Sequence, residues 1–428
     1  MKRMFYIFLS ILIFVSLNLF SQESTPSQPD ESLTESTTTT SPESQAEQTP
    51  ITTEQVQTQS TTEQVQTQIT TEQPIPQKIE VKEEPKPSED VYIIINGIQY
   101  PPKGYAYITT PNTKIDFALD IISVSQKEGE EPTANEPHKR SSASVQITKS
   151  INWDTQNGSW INPDNDKITF FTPKISETYP ITVSYKENKQ FKVDYGDLSP
   201  QEKNEETTRQ AEINLIVQYP FDRYVGSIEG YPIGFYPDEN EKNAPPVVAN
   251  HKDKYQPPSW FIKVTKENSG LYISKHFKLG AFATSWDNSD FTFIALSKNL
   301  VNKLEMIIKK LNDSGTTVSN LCILKGFESP VTFEKKRKAG YTISKYSRHQ
   351  YGDSVAFIID ENNDGVMDDL NGDGNVDITD LEKVKSVITL IESQQGEYGG
   401  LGLIMSDKEF NTPYMQIDTR GFGSRWVL

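Results

Sequence analysis

The sequence predicts an α+β protein in which a disordered N-terminal tether leads into a small β-sandwich and then into a larger mixed domain. Three observations point there. Residues 22–90 are dominated by Thr, Ser, Gln, Glu and Pro. Residues 91–195 hold short β-branched and aromatic runs separated by turn residues. From Ala211 onward, helix and strand signals are mixed. A chain of 428 residues leaves room for two or three domains of roughly 100–200 residues each.

Residues 1–21 read as a secretory signal. Lys2 and Arg3 supply the positive start, Met4 to Val15 the apolar core, and Ser21 a small residue at the cleavage point. Leu19 is larger than usual for its place before the cut, and an uncleaved N-terminal anchor is the alternative. No cysteine lies nearby, which excludes a lipoprotein anchor. The chain is therefore expected to be secreted across the inner membrane and to end up periplasmic or at the cell surface. No later stretch is long and apolar enough to span a bilayer, so no transmembrane span is expected in the mature chain. Lys and Arg number 42 against 59 Asp and Glu, a net charge of −17. Nucleic acid and anionic lipid are polyanions and are excluded as main partners.

The tether, 22–90, repeats one polar unit at 52–59, again at 61–68, and in part at 70–73. With one valine per unit it buries too little apolar surface to offset the chain entropy lost on folding. In 91–195, Val91–Ile95 ends at the hairpin signal Asn96-Gly97. Further strands are expected at 114–122, 144–151, 167–172 and 181–185. That spacing fits an immunoglobulin-like sandwich with no catalytic cluster. Residues 196–210, including Gln201-Glu202-Lys203-Asn204-Glu205-Glu206, read as a polar linker before a domain at 211–428. There Ser297 opens a helix with Leu300, Leu304, Ile307, Ile308 and Leu311 on one face, closed by Gly315. The single cysteine, Cys322, excludes an internal disulfide framework and reads as a small buried hydrophobe.

Several runs follow in order: Gly230-Tyr231-Pro232-Ile233-Gly234-Phe235-Tyr236-Pro237, Pro257-Pro258-Ser259-Trp260-Phe261-Ile262, Ser274-Lys275-His276-Phe277-Lys278-Leu279-Gly280, and Lys325-Gly326-Phe327-Glu328-Ser329-Pro330. After them come Ser347-Arg348-His349-Gln350-Tyr351-Gly352-Asp353, Gly399-Gly400-Leu401-Gly402-Leu403, Ile417-Asp418-Thr419-Arg420-Gly421 and Arg425-Trp426. Together they resemble the zinc D-alanyl-D-alanine carboxypeptidase family over about half of the chain. The resemblance implies the hedgehog/D-Ala-D-Ala peptidase-like fold and metal-assisted hydrolysis of peptide bonds in wall peptides. The family's motif is S-R-H-x-x-G-x-A-x-D, with His and Asp on zinc. A late F-V-H-V-D strand supplies the third ligand, and the Arg of an S-G-Y-R-S-P run binds substrate. His349 fills the first ligand position. Ala356 stands where the ligand Asp belongs and Gln416 where the ligand His belongs. Glu328 replaces the substrate Arg with opposite charge, and Glu328, Asp418 and Arg420 are the expected groove residues. Asp353 and Asp418 have the chemistry of ligands, but their motif positions point elsewhere. With two of three ligands missing, zinc is not expected, and the domain reads as a pseudoenzyme. His138, His251 and His276 have no ligand spacing and read as structural.

A twelve-residue calcium loop follows. Its side-chain ligands are Asp369, Asn371, Asp373, Asp377 and Asp380, with Asn375 giving its carbonyl and Gly374 the sharp turn. Asp rather than Glu at the last position resembles dockerin loops. The stretch 381–391 reads as the following helix. A weaker loop lies upstream, with Asp360, Asn362, Asp364, Val366 and Asp368, giving a calcium segment of 360–380. Calcium is the expected cofactor, in a structural role. The expected partner is peptidoglycan peptide or another envelope protein. The competing functions are an active metallo D,D-carboxypeptidase or endopeptidase with altered ligands, and a surface adhesin working through residues 91–195.

Overall fold

The computed structural model describes residues 91–121, 142–155, 157–162, 165–194, 201–284, 290–341, 343–396 and 398–428. The expected signal segment, the tether, residues 196–200 of the expected linker and His138 lie outside the described residues.

The first part is two sheets sharing one core. Strand β1 (Val91–Ile95) turns through Asn96 and Gly97, at φ 49° and 84°, into β2 (Ile98–Tyr100). Two successive positive φ values are what a two-residue hairpin turn of this twist demands, and Asn-Gly supplies them at least cost. There follow β3 (Ala106–Thr109), β4 (Lys114–Ile121), β5 (Ser142–Thr155), β6 (Ser159–Ile161), β7 (Lys167–Phe171), β8 (Thr178–Asp194) and β9 (Gln201–Val217). One sheet runs β2-β1-β4-β7-β6 and the other β3-β9-β8-β5. Ile93, Ile95, Ile115, Phe117 and Phe170 of the first sheet pack with Trp153, Ile181, Val183, Ile213 and Leu215 of the second. Alternation of these apolar residues with wet ones along each strand makes one face of each sheet the core face.

Strand β9 overturns the expected linker and both boundaries beside it. Residues 201–210 are strand, and the two-sheet part runs on to Val217 rather than ending at 195. The ladder between β8 and β9 runs unbroken from Val193↔Gln201 to Thr178↔Ile216. Beyond the core, β5, β8 and β9 continue as a three-stranded ribbon that water reaches on both faces. Residues 145–150 and 202–208 are exposed. Without a buried face there is no apolar alternation to read, and a polar strand looks like a polar linker. Backbone pairing holds the ribbon. Its cross-strand ion pairs, such as Lys192–Glu202 at 3.5 Å, are exposed and add about 0–1 kcal/mol each.

The second part has one continuous core. Its elements are β10 (Tyr219–Pro220), β11 (Ser227–Ile228), β12 (Tyr231–Pro232), α1 (Pro246–Ala249), β13 (Trp260–Thr265), β14 (Phe291–Ile294), α2 (Lys298–Asp313), β15 (Cys322–Lys325), α3 (Pro330–Lys338), β16 (Ser354–Ile358), α4 (Ile378–Gln395), β17 (Gly400–Ile404), β18 (Tyr414–Asp418) and β19 (Ser424–Val427). A three-stranded sheet runs β10-β13-β14 and a five-stranded one β15-β16-β18-β17-β19. Leu300, Leu304, Ile307, Ile308 and Leu311 are the buried stripe of α2, as their spacing predicts. Ser297 sits at its N-cap, but its hydroxyl makes no capping bond. Its N–H instead donates to the Gly352 carbonyl at 2.8 Å. The two parts meet where Tyr105 stacks on Tyr272 at 5.4 Å and Ala106 N–H donates to the Tyr272 carbonyl at 2.8 Å. Among the described residues, no helix is long and apolar enough to cross a membrane.

Gly352 closes the short helical turn Arg348–Tyr351 at φ 72°. A Cβ there would lie 2.3 Å from the Ala295 carbonyl oxygen. Gly352→Ala is therefore expected to destabilise the domain by about 2–4 kcal/mol, from a left-handed backbone plus a clash with main chain. Urea unfolding of the two proteins reads this directly.

Candidate functional site

The five-stranded sheet gathers the positions singled out in the sequence. Residues paired across a ladder share a face. The pairings Lys325↔Ala356, Ala356↔Gln416, Gly402↔Gln416 and Gly402↔Trp426 therefore lay one row across the sheet. Gly402 is glycine because the Trp426 indole lies on it: a Cβ would fall 2.2 Å from Nε1. Ala356 is packed in the centre of the sheet and Gln416 is half-buried.

His349 lies in the turn just before β16 and is buried, 3 % exposed. Its Nδ1 is 2.8 Å from the Gly326 carbonyl oxygen. A carbonyl only accepts, so Nδ1 carries the proton and Nε2 the lone pair. The Glu328 N–H donates to the His349 carbonyl at 3.2 Å, which fixes the same two segments together. Burial, and then the Lys325 ammonium, push the imidazole down to about 3.

Opposite Ala356 the row begins with Lys325. Its Nζ is 3.2 Å from Glu328 Oε2 and 2.6 Å from Glu409 Oε2. Lys336, on α3, bonds Glu328 and lies 2.6 Å from Glu409 Oε1. Two ammonium groups and two carboxylates thus form a closed, charge-neutral quartet. Burial pulls against ionisation of Glu409, but both lysines hold its carboxyl below the usual range. Burial likewise opposes charge on Lys336, and the two glutamates outweigh it and raise it.

These residues do not fit a zinc ion. A tetrahedral catalytic site needs three N, O or S donors and an open position. The row offers a methyl group at Ala356, a neutral amide at Gln416, and an ammonium at Lys325. Among the described residues, no group of three or more His, Cys, Asp or Glu side chains is placed to hold a metal ion.

The expected groove residues are placed differently from an open cleft. Glu328 is 3 % exposed and tied into the quartet. Asp418 is fully buried. Its Oδ1 accepts from Gly400 N–H at 2.7 Å and from Arg420 Nε at 2.9 Å. Burial works against its charge, yet Arg420 and these N–H groups keep the carboxyl below its ordinary range. Asp353 is likewise engaged, by Arg348 Nε at 3.0 Å. Burial lifts its carboxyl above the ordinary range despite that partner. Asp418 and Arg420 pair at the end of the central strand β18, where Asp418 also takes the Gly400 N–H of β17; charges this deep must be paired.

In the calcium segment the loop oxygens accept backbone N–H groups. Asp369 takes those of Gly372 and Gly374, each at 2.7 Å; Asn371 takes that of Asp373 at 2.8 Å; Asp373 that of Asn375 at 2.9 Å; Asp377 that of Thr379 at 2.8 Å. Asp380 is buried in the first turn of α4. Its oxygens accept from Leu370 at 2.8 Å, Asn371 at 3.1 Å and Asp377 at 2.9 Å, which closes the loop onto the helix. Upstream, Asp360 accepts from Asp364 and Gly365, Asn362 from Asp364, Asp364 from Val366, and Asp368 from Glu361. Val366 is half-exposed.

Sequence reasoning missed Lys325, Lys336 and Glu409 as site residues. Only Lys325 and Glu328 are local to each other; Glu409 comes from the β17–β18 loop, a tertiary contact with no sequence signature. It also missed α3, although Ser329-Pro330 signals a helix start. Ser329 Oγ accepts from Thr332 N–H at 3.3 Å, with Pro330 in the first turn.

No protein-family model matches the chain, and no curated protein matches it. Among solved structures, a nucleoside hydrolase-related hypothetical protein from Saccharophagus degradans, associated with carbohydrate metabolism, aligns with a TM-score of 0.16 and 9 % identity. The match covers 30 % of this chain and 25 % of that one.

Proposed function

We propose that the C-terminal part is a peptidase-like domain without peptidase chemistry, carried on an exported envelope protein and binding wall peptide or an envelope partner. What supports this most is the sheet row. The two positions that the family resemblance assigns to zinc ligands are direct register partners, Ala356↔Gln416, and neither offers the donor that zinc requires. In this reading the N-terminal sandwich is an immunoglobulin-like spacer and the low-complexity N-terminus a tether.

Two measurements on the full-length protein test the reading. Incubated with muropeptides and a series of divalent metals, it is expected to release no D-alanine. It is also expected to sediment with purified sacculi. Metal-dependent D-alanine release would instead favour the altered-ligand enzyme, and failure to sediment would remove wall binding.

Calcium belongs to the same proposal, on the ligand spacing from Asp369 to Asp380. Saturating calcium is expected to raise the melting temperature relative to chelator. At free calcium about 100 times its Kd the gain is about 2.7 kcal/mol. Asp369→Ala together with Asp373→Ala is expected to abolish the increase. An equal increase in that variant would place the effect elsewhere.

A further inference from the structure

We infer that the Lys325 ammonium is the resident cation of this site, standing on the sheet where a metal would otherwise be held and excluding one. The inference rests on the peptidase-like reading above. Three observations carry it. Lys325 is the register partner of Ala356, on the same face and in the same row as Gln416. The next residue, Gly326, holds the His349 imidazole by its carbonyl at 2.8 Å, which ties Lys325 to the turn that carries the first ligand position. Its charge is balanced locally, by Glu328 and Glu409, so the cation is a built and compensated feature rather than a stray surface lysine.

The substitutions are also mutually consistent. In the run Lys325-Gly326-Phe327-Glu328-Ser329-Pro330, lysine stands at the place of the first Ser of S-G-Y-R-S-P and glutamate at the place of its Arg. The positive charge has moved from the fourth position to the first, and a negative charge has taken its former place. The quartet is neutral, so Glu328 and Glu409 offer an entering dication no net attraction while the Lys325 ammonium stands in the ligand row; without Lys325 the group would carry a net negative charge. Restoring the missing donors alone therefore restores only a weak metal site. Removing Lys325 leaves Glu328 and Glu409 still paired, since Lys336 bonds both. This makes Lys325→Met a tolerable variant.

The test is titration of full-length protein with Co2+ alone, followed by the visible absorption of tetrahedral cobalt. The proteins are wild type, Ala356→Asp/Gln416→His, and the same pair with Lys325→Met. The expected result is no binding by wild type, weak binding by the double variant, and at least tenfold tighter binding by the triple. Equal affinity of double and triple variants would overturn the inference while leaving the peptidase-like reading intact. No binding by either variant, both melting cooperatively, would overturn that reading and the inference with it. Should Asp at the packed Ala356 position prevent folding, Gln416→His with and without Lys325→Met makes the same comparison at a half-buried position. Equal binding by that pair counts against the inference in the same way.

Discussion

Replacing Lys303 with methionine is expected to cost at most about 3–5 kcal/mol of stability, because it strips one partner from a buried carboxylate. Lys303 sits on the apolar stripe of α2 and is fully buried. Its Nζ is 2.8 Å from Glu392 Oε1 on α4 and 3.4 Å from the Asp418 carbonyl on β18. Glu392 is itself 1 % exposed. The same Oε1 accepts from Gly399 N–H at 3.2 Å, and its other oxygen is bound by Arg425 of β19. One buried ion pair therefore joins two helices to the sheet that carries the site. Methionine matches the stem of lysine but leaves the carboxylate short of one charge-assisted partner. Arg425 remains, so the loss is partial and the fold survives in weakened form. Replacing both Lys303 and Glu392 with methionine is expected to recover part of the loss, since an apolar pair needs no compensation. Urea unfolding of the three proteins measures it. A loss below about 1 kcal/mol for Lys303→Met would be the value of an exposed pair and would contradict the desolvated geometry.

The second large effect is a loss of stability in mild acid. His349 is held neutral, near a value of about 3, against 6.5 for the ordinary group. Between these values the unfolded chain binds a proton that the folded chain refuses. Stability is thus fully present above the upper value and falls as pH drops through the window. Each tenfold loss of proton affinity corresponds to about 1.4 kcal/mol, so the upper bound is about 5 kcal/mol, lost progressively towards the lower value. Paired carboxylates such as Glu409 also lose stability in acid, but only below the ordinary carboxylate range. Asp353, whose carboxyl burial lifts, acts with the opposite sign towards that range, so it is the difference between wild type and a His349 variant from about pH 6.5 to about pH 5 that isolates the histidine. His349→Gln, which removes the titrating group, is expected to flatten the slope of unfolding free energy there. An unchanged slope in the variant would assign the acid sensitivity to another residue.

How much of this is legible in the sequence depends on how local each cause is. The hairpin at Asn96-Gly97 and the stripe of α2 are written in a few adjacent residues, and both are found where expected. The helix expected at 381–391 is found within α4, which starts earlier because Asp377 caps it and Asp380 closes the capping box. Strand β9 was illegible between 201 and 210 because strand patterning reports a buried face, and the ribbon has none. The site divides in the same way. The positions that the family resemblance assigns to ligands, His349, Ala356 and Gln416, are readable from a motif. What surrounds them is not: Lys325 and Glu409 are 84 residues apart and meet only across the folded sheet. The burial of Asp418 and Glu328 follows from that packing too, which is why both read as groove residues in the chain and as paired interior charges in the fold.

The proposal of a peptidase-like site without a metal is tested most directly by the elemental content of full-length protein, purified without chelator and dialysed exhaustively against metal-free buffer. No stoichiometric zinc is expected. One zinc per chain, lost on His349→Gln, would show that donors other than Ala356 and Gln416 complete the site, and would contradict a metal-free role.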